Sequence, residues 1–423
     1  MDRAILHSDI NSCYASVERL YRPELSDKPF AVCGSQERRH GIVLAKSDNA
    51  KRAGVKTGMT IWQAKQLCPE LQIVEPHFDR YIKYADMVRE IYGEYTDMCE
   101  PFGIDESWLD ITNCLACPDP VKTANEIRER VRRETGLTVS IGVSWNKVMA
   151  KLGSDYKKPN AVTVIDREHF KELVWPLPAS DMLMVGRSAQ RELGRMGIRT
   201  IGELARTDSE LLRARFGKSG LTLWRYANGM DSSRVRRLGE EEPPQSIGNS
   251  TTLPQDIENF KQARAVLLAL ADGVGSRLRR QKLMCRTVEI GVRGTDLRWK
   301  SHRMRLRHAT DVTSELAACA AQLLRQCHEF PGPLHSIGIR ALELVHADCD
   351  EQIDIFIDYV NLNRQRSIDA AMDKIRQKYG DNSICRASLL DESALWEGGQ
   401  CSFYRPEYNS PIELSYIECY HKA

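Results

Sequence analysis

The first apolar stretch of the chain predicts a strand over residues 3–9, and the spacing of apolar positions in NSCYASVERLY predicts a helix after it, which Asn11 can cap. KPFAVCG and GIVLAKS read as short strands separated by the charged loop SQERRH. A helix from about Ser47 to Arg52 ends near Gly54, and IWQAKQLCP makes another that Pro69 stops. Between Asp79 and Asp97, residues Tyr81, Tyr84, Ala85, Val88, Ile91 and Tyr92 keep helical spacing. FGIDESWLDIT, residues 102–112, then turns at Phe-Gly into a β-rich run, the pattern of a hairpin. Residues 120–135 form a helix, LTVSIGVS a strand, and SWNKVMAKLGSDYKKPNAVTVI a helix with Lys147 and Lys151 on one face, a turn at Lys158–Asn160 and a last strand. This order places two helices behind one mixed sheet.

Residues 167–233 are helical with short turns. Within them VGRSAQRELGRMGIRTIGELA holds two helices joined at MGIRT, the signature of a helix-hairpin-helix; an alternative is a plain glycine turn. Gly186, Arg187 and Gly197 are its candidate phosphate contacts, through close backbone approach and exposed N–H groups. Residues 234–245 lack periodicity and contain Pro243-Pro244, which marks a linker. Beyond it a strand, a helix at about 259–282, strands at 284–293 and 296–306, a helix at about 312–328 and a strand at 336–346 make a second α+β domain. A tail helix at 364–379 has Ile368, Met372, Ile375 and Tyr379 on one face. No clear pattern runs from Asp391 to the end.

The 423 residues allow two to four domains, and a net charge of +2 announces no partner by itself. Distribution says more. From Arg277 to Arg307 lie eleven basic residues, among them Arg293, Arg298, Arg303 and Arg305, against Glu289 and Asp296 only, so the open face of the second sheet should be basic. With no leader pattern and no spanning apolar run, the chain is expected to be cytosolic, and its thirteen cysteines to be reduced core thiols. Cys114 and Cys117 form a C-x-x-C with no second pair beside it, weak evidence for zinc.

Asp105 and Glu106 are adjacent, and neighbours within a strand face opposite ways, so both reach one site only if one sits at the turn. Asp9, at the end of the first strand, supplies a third carboxylate. Such pairs at turns are more often solvated surface charge. As a site, three carboxylates at strand ends suit two Mg²⁺ ions roughly 4 Å apart, which need hard oxygen ligands.

HSDINSCYASVE, GIDESWLDIT, SIGVSWNKVMAKLGSDYKKPNAV, the helix-hairpin-helix and SIGNSTTLPQDI, taken in order, resemble the Y-family DNA polymerases, on their DNA polymerase IV branch, over residues 1–390. The resemblance implies an α+β, right-handed polymerase architecture: palm (1–18 and 77–166), fingers (19–76), helical thumb (167–233), linker (234–245), a little finger of four strands and two helices (246–347) and a tail (348–423). It implies error-prone copying of primer-template DNA from deoxynucleoside triphosphates in translesion synthesis, without proofreading, by a monomer that binds a sliding clamp. Asp9, Asp105 and Glu106 match the metal-binding carboxylates, with the Ile10 main-chain carbonyl as a further ligand. Tyr14 matches the sugar gate, with Cys13 beside it where an aromatic is common. Lys158 matches a triphosphate lysine, and Ile42 and Leu44 fall where the family roofs the nascent base pair. Where many members have Tyr-x-x-Arg, this chain has Asp48 and Lys51, a point charge without the bidentate fork. Gln352, Ile355 and Phe356 fit a clamp-binding peptide, with an edge strand as the alternative reading. A non-catalytic DNA- and clamp-binding adaptor is the rival; its hallmark would be loss of the carboxylates, and all three are present.

Overall fold

The chain, a computed structural model that describes residues 3–35, 41–240, 242–349 and 358–389, builds its first unit around one strand. That strand, β1 (Ile5–Ile10), is buried along its whole length. It leads through α1 (Cys13–Tyr21) into a small sheet of β2 (Phe30–Cys33), β3 (Val43–Lys46) and β4 (Gln72–Val74), packed with α2 (Asp48–Arg52) and α3 (Ile61–Leu67). Then come α4 (Phe78–Gly93), β5 (Cys99–Pro101), β6 (Glu106–Asp110), α5 (Pro120–Thr135), β7 (Val139–Ser144), α6 (Lys147–Tyr156) and β8 (Val162–Val164). The main sheet has the order β5-β6-β1-β7-β8, with only β7 and β8 parallel. Five helices complete the unit around a core they share with Trp145, Ile165 and Val148, Met149 and Leu152 of α6: α7 (Phe170–Val174), α8 (Arg187–Arg195), α9 (Ile201–Arg206), α10 (Ser209–Phe216) and α11 (Lys218–Ala227).

The two faces of β1 do different work. Leu6 and Ile10 join Tyr81, Val88 and Ile91 of α4 and Ile127 and Val131 of α5 in one apolar core, and the Tyr92 hydroxyl donates to Ser8 Oγ at 2.7 Å. These are the two helices expected behind the sheet. On the other face Ile5 packs with Trp108, Ala150 of α6 and Val235, and His7 meets Ser154 of α6. That helix covers the front.

Three expectations change. Strand β4 is one the pattern does not predict, since QIV has no alternation to announce it; it pairs with β2 in parallel. Asn11 does not cap α1: Ser12 stands at the N-cap with φ 47°, while the Asn11 amide donates to Ser140 Oγ at 2.9 Å and accepts from the Asn160 N–H at 2.8 Å. The segment read as a linker is laid against the main sheet as far as Leu238, whose N–H donates to the Asp97 carbonyl. Val235 is fully buried there, and Glu100 accepts from the Arg236 N–H and guanidinium, each at 3.0 Å, and from Lys147 Nζ at 2.8 Å.

The second unit contains β9 (Ser246–Ile257), α12 (Phe260–Arg280), β10 (Leu283–Gly294), β11 (Trp299–Thr310), α13 (Thr313–Cys327), β12 (Leu334–His346) and α14 (Tyr359–Tyr379). Its antiparallel sheet, ordered β11-β10-β12-β9, packs one face on α12 and α13. Two arginines expected on the open face are elsewhere. Arg277 donates to the Gly248 carbonyl, and Arg279 pairs with Asp369 at 3.2 Å and Asp373 at 2.7 Å. Helix α14 is also turned round relative to its apolar pattern: Ile368, Ile375 and Tyr379 are exposed, while Asp369 and Arg376 are buried with Leu362 and Met372. Charge is the reason. Asp272, Asp311, Asp369 and Asp373 are matched to Arg279, Arg366, Arg376 and Arg386, and buried ions that are paired can sit inward where unpaired ones could not. Among the described residues no helix is long and apolar enough to cross a membrane.

Glu100 offers a test. Burial pushes its carboxyl up, but the bonds from Lys147 and Arg236 outweigh burial and hold it below its ordinary value of 4.5. Glu100→Ala strands two cations and is expected to destabilise the fold by about 3 kcal/mol in chemical denaturation. Because the folded value is depressed, the carboxylate's stabilisation is complete above pH 4.5 and is lost as pH falls through the lowered value. The acid limb of the stability profile should therefore flatten in Glu100→Gln.

Candidate active site

The antiparallel register of β1 and β6 sets Glu106 directly opposite Asp9, so the two carboxylates leave the same face of the sheet. Asp105 lies outside the ladder, in the turn between β5 and β6, where its carbonyl accepts from the Ile10 N–H at 2.9 Å. Gly103, at φ 85°, gives the turn a conformation that side chains resist. The break in alternation there leaves Asp105 outside the strand and near enough that its charge helps push the Asp9 carboxyl up.

Each strand-end carboxylate is met by a lysine. Lys158 Nζ lies 2.8 Å from Asp9 Oδ2 and 2.9 Å from Asp155, while Lys151 Nζ pairs with Glu106 Oε2. His7 Nε2 is 3.2 Å from the same Glu106 oxygen. Burial pushes the Asp9 carboxyl up, and Glu106 and Asp105 push the same way against Lys158. Burial also works against ionised Glu106, but His7 and Lys151 outweigh it and hold that carboxyl below its ordinary value. Among the described residues no three His, Cys, Asp or Glu side chains are already gathered as a metal cage. The donor set nevertheless fits a hard divalent cation: oxygen ligands only, crowded enough that Asp9 gives up its proton at a cost that further positive charge would remove.

Helix α6 brings Lys151 in, and the turn after it Lys158, because no side chain holds the helix off β7 at Gly142. Gly142 is the cross-strand neighbour of His7, and a Cβ at 142 would fall 1.8 Å from the Ala150 carbonyl oxygen and 2.5 Å from the Ser154 nitrogen. The helix lies on bare backbone. At its far end, Asn11 holds the Asn160 N–H and so ties the Lys158 turn to the end of β1.

Residues 8–155 match the profile of the impB/mucB/samB family, and residues 244–355 match that family's C-terminal domain. The chain is 46% identical to the DNA polymerase IV of Acetivibrio thermocellus over 93% of its length and 99% of that protein. It is 37% identical to DNA polymerase IV 1 of Bacillus subtilis over 92% of its length and 93% of that protein. The chain belongs to the Y-family DNA polymerases, on the DNA polymerase IV branch. Its fold agrees: a solved Y-family DNA polymerase chimera, Dbh-Dpo4(243-245)-Dbh, superposes with a TM-score of 0.70 at 22% identity, covering 81% of this chain and 99% of that one. Dependence on divalent metal comes with the family.

The polymerase's other expected residues fall as follows. The Tyr14 ring stacks on Tyr81 at 4.3 Å and meets Phe78 edge-on, and Tyr81 is itself anchored by a 2.7 Å bond from its hydroxyl to Glu18. Tyr14 is half-buried, so it anchors α1 and still presents a ring edge. Cys13 is buried in the core behind the sheet, and burial pushes its thiol well up. This position gives it no open face toward a nucleotide. Ile42 is exposed and Leu44 half-buried, while Asp48 and Lys51 are exposed on α2, where Arg52 bonds Asn49 rather than Asp48.

Helices α8 and α9 are joined at MGIRT as expected, with Gly197 at φ 79°, but the start of α9 is closed by its own capping box of Thr200 and Glu203. Glu203 also accepts from the Arg199 N–H at 2.6 Å. Of the two starts it is α8, opening at Gly186 and Arg187, that has no side-chain cap. On the second sheet Arg303 and Arg305 are exposed on the open face, with Arg305 3.7 Å from Glu343. Arg298 instead belongs to the turn before β11, where its N–H bonds Asp296, and Arg293 braces that turn through the Leu297 carbonyl. Gln352, Ile355 and Phe356 lie outside the described residues. The Cys114 thiol donates to the Tyr95 carbonyl. Nothing in the sequence marks His7 and Gly142, because a strand buried on both faces shows no alternation to make one position special, and Ser154 is one small residue in a helix.

Gly142→Ala should separate α6 from the sheet, cost about 3 kcal/mol by overpacking, and abolish the lysine pairs. Thermal melting together with loss of polymerase activity in whatever remains folded would report it.

Proposed function

We propose that the chain is a DNA-templated DNA polymerase of translesion synthesis, error-prone and without proofreading, whose chemistry sits at Asp9, Asp105 and Glu106. The observation that carries this is the facing of Asp9 and Glu106 across β1 and β6 with Asp105 in the adjoining turn, in a chain that aligns along nearly its whole length with DNA polymerases IV.

Asp9 and Asp105 would hold two Mg²⁺ ions, with Glu106 mainly on the catalytic one and the Ile10 carbonyl as a further ligand. When bound, the ions supply the charge that acidifies a primer 3'-hydroxyl and steadies departing pyrophosphate. The protein's part is positioning. Lys158, on its turn beside Asp9, is placed to take a triphosphate, and Lys51 adds a second point charge from the fingers. Tyr14, braced on Tyr81, sets a rigid ring edge against a ribose 2'-hydroxyl. Ile42 and Leu44 cover the nascent base pair.

Phosphate contacts come from the uncapped start of α8 at Gly186 and Arg187, and from Arg303 and Arg305 on the open sheet face. Gln352, Ile355 and Phe356 would engage a sliding clamp as a short peptide in a groove, and the enzyme works as a cytoplasmic monomer.

Primer extension on a DNA template with Mg²⁺ and deoxynucleotides tests the reading. The wild-type protein should extend, and Asp105→Ala should lose about 100-fold or more, as several kcal/mol of charge stabilisation go. Extension that persists in Asp105→Ala would sink the assignment. Affinity for primer-template should fall steeply with salt, and Arg303→Ala should lower the slope of log K against log salt by about 1.

A further inference from the structure

We propose that His7 and Ser154 are positioning residues for Glu106: the imidazole sets Nε2 beside Glu106 Oε2 as a close electrostatic contact outside hydrogen-bond geometry, and the Ser154 hydroxyl holds the ring in the tautomer that makes that contact favourable. The inference rests on the polymerase reading and adds to it two residues that touch neither substrate nor metal.

His7 is fully buried, two residues before Asp9 on the same face of β1. Its Nε2 lies 3.2 Å from Glu106 Oε2, and its Nδ1 lies 2.8 Å from Ser154 Oγ. A bare ring nitrogen that close to a carboxylate oxygen, in a place closed to water, would set two lone pairs against each other, so Nε2 carries the proton. In the neutral ring Nδ1 is then an acceptor, and the Ser154 hydroxyl hydrogen turns to it. That hydroxyl also lies 2.8 Å from the Lys151 carbonyl, but the carbonyl has its own partner one turn on in α6 and can do without it.

The ring cannot swing away. Trp108 meets it edge-on at 5.2 Å, and the indole is fixed by donating to the Lys147 carbonyl at 2.9 Å, with Lys147 Nζ 4.2 Å above its face. Gly142, opposite His7, is what lets Ser154 come down to the ring.

The consequence concerns one oxygen. Lys151 and His7 both lie against Oε2, which restrains the rotation of the carboxylate and would leave Oε1 as the oxygen to face a divalent cation. A positioning partner of this kind is worth about 10-fold in metal affinity or turnover.

The test uses full-length His7→Phe, Ser154→Ala and the double variant. Mn²⁺ binding to each protein with primer-template and a non-hydrolysable deoxynucleotide is followed by electron paramagnetic resonance, beside steady-state extension and thermal melting. In folded His7→Phe, Mn²⁺ binding should weaken by about 10-fold and kcat fall in step, with the KM for nucleotide held within about 2-fold. Ser154→Ala should move the same quantities less far, and the double variant should lose no more than His7→Phe alone, since the serine acts only through the ring. If His7→Phe does not fold, Ser154→Ala, which leaves the packing nearly intact, decides the matter by the same readouts. Parental Mn²⁺ affinity and kcat in the folded variants, or losses that multiply in the double, overturn the positioning role. Should the wild-type protein itself fail to extend a primer, the polymerase reading falls first and this inference with it.

Discussion

How closely α6 can lie on the main sheet governs the carboxylate site. A helix is ordinarily held off a sheet by the side chains between them, and at Gly142 there is none, so backbone rests on backbone. Gly153 continues the seam from the helix side, since its own Cβ position is 3.0 Å from the Gly142 Cα. Three contacts depend on that approach: Lys151 with Glu106, Ser154 with His7, and Lys147 with Glu100. None of these residues is near another in a way that strand or helix propensity would create.

Charge balance follows from the same geometry. Two carboxylates at strand ends with a third in the adjoining turn are costly to ionise together, and the helix and the turn after it deliver Lys151 and Lys158 to offset them. The site thereby stays folded with its acids close, and a ligand bringing cations and a triphosphate would offer each lysine and each acid a replacement partner. The Asn11 bond to Asn160 is a structural reason for an asparagine two residues after Asp9.

The second unit solves a different problem by related means. Its sheet and two helices bury an ordinary apolar core, but α14 is held by four aspartates and four arginines. Ion pairs of that kind specify a rotation of the helix more sharply than they stabilise it, because a helix turned by its apolar stripe would leave several buried charges unmatched. The Thr313 N–H, at the start of α13, also donates to Asp369 at 2.8 Å, which joins the network to the core helices.

Much of this was legible in order along the chain. Local pattern determined most of the strands and helices, the need for one of Asp105 and Glu106 to sit at the turn, and the two helices behind the sheet, because periodicity and turn residues act over a few neighbours. Several motifs in sequence carried the family. What pattern misjudged were the features in which one segment answers another far away: the capping role given to Asn11, the first part of the linker at 234–245, the basic face assigned to Arg277 and Arg279, and the apolar side of α14. In each, a long-range hydrogen bond or ion pair overrode the local preference. The partnership of His7, Ser154 and Glu106 spans 147 residues between the first two, and only the tertiary structure could decide it, since a missing side chain at Gly142 signals nothing until a helix is laid upon it.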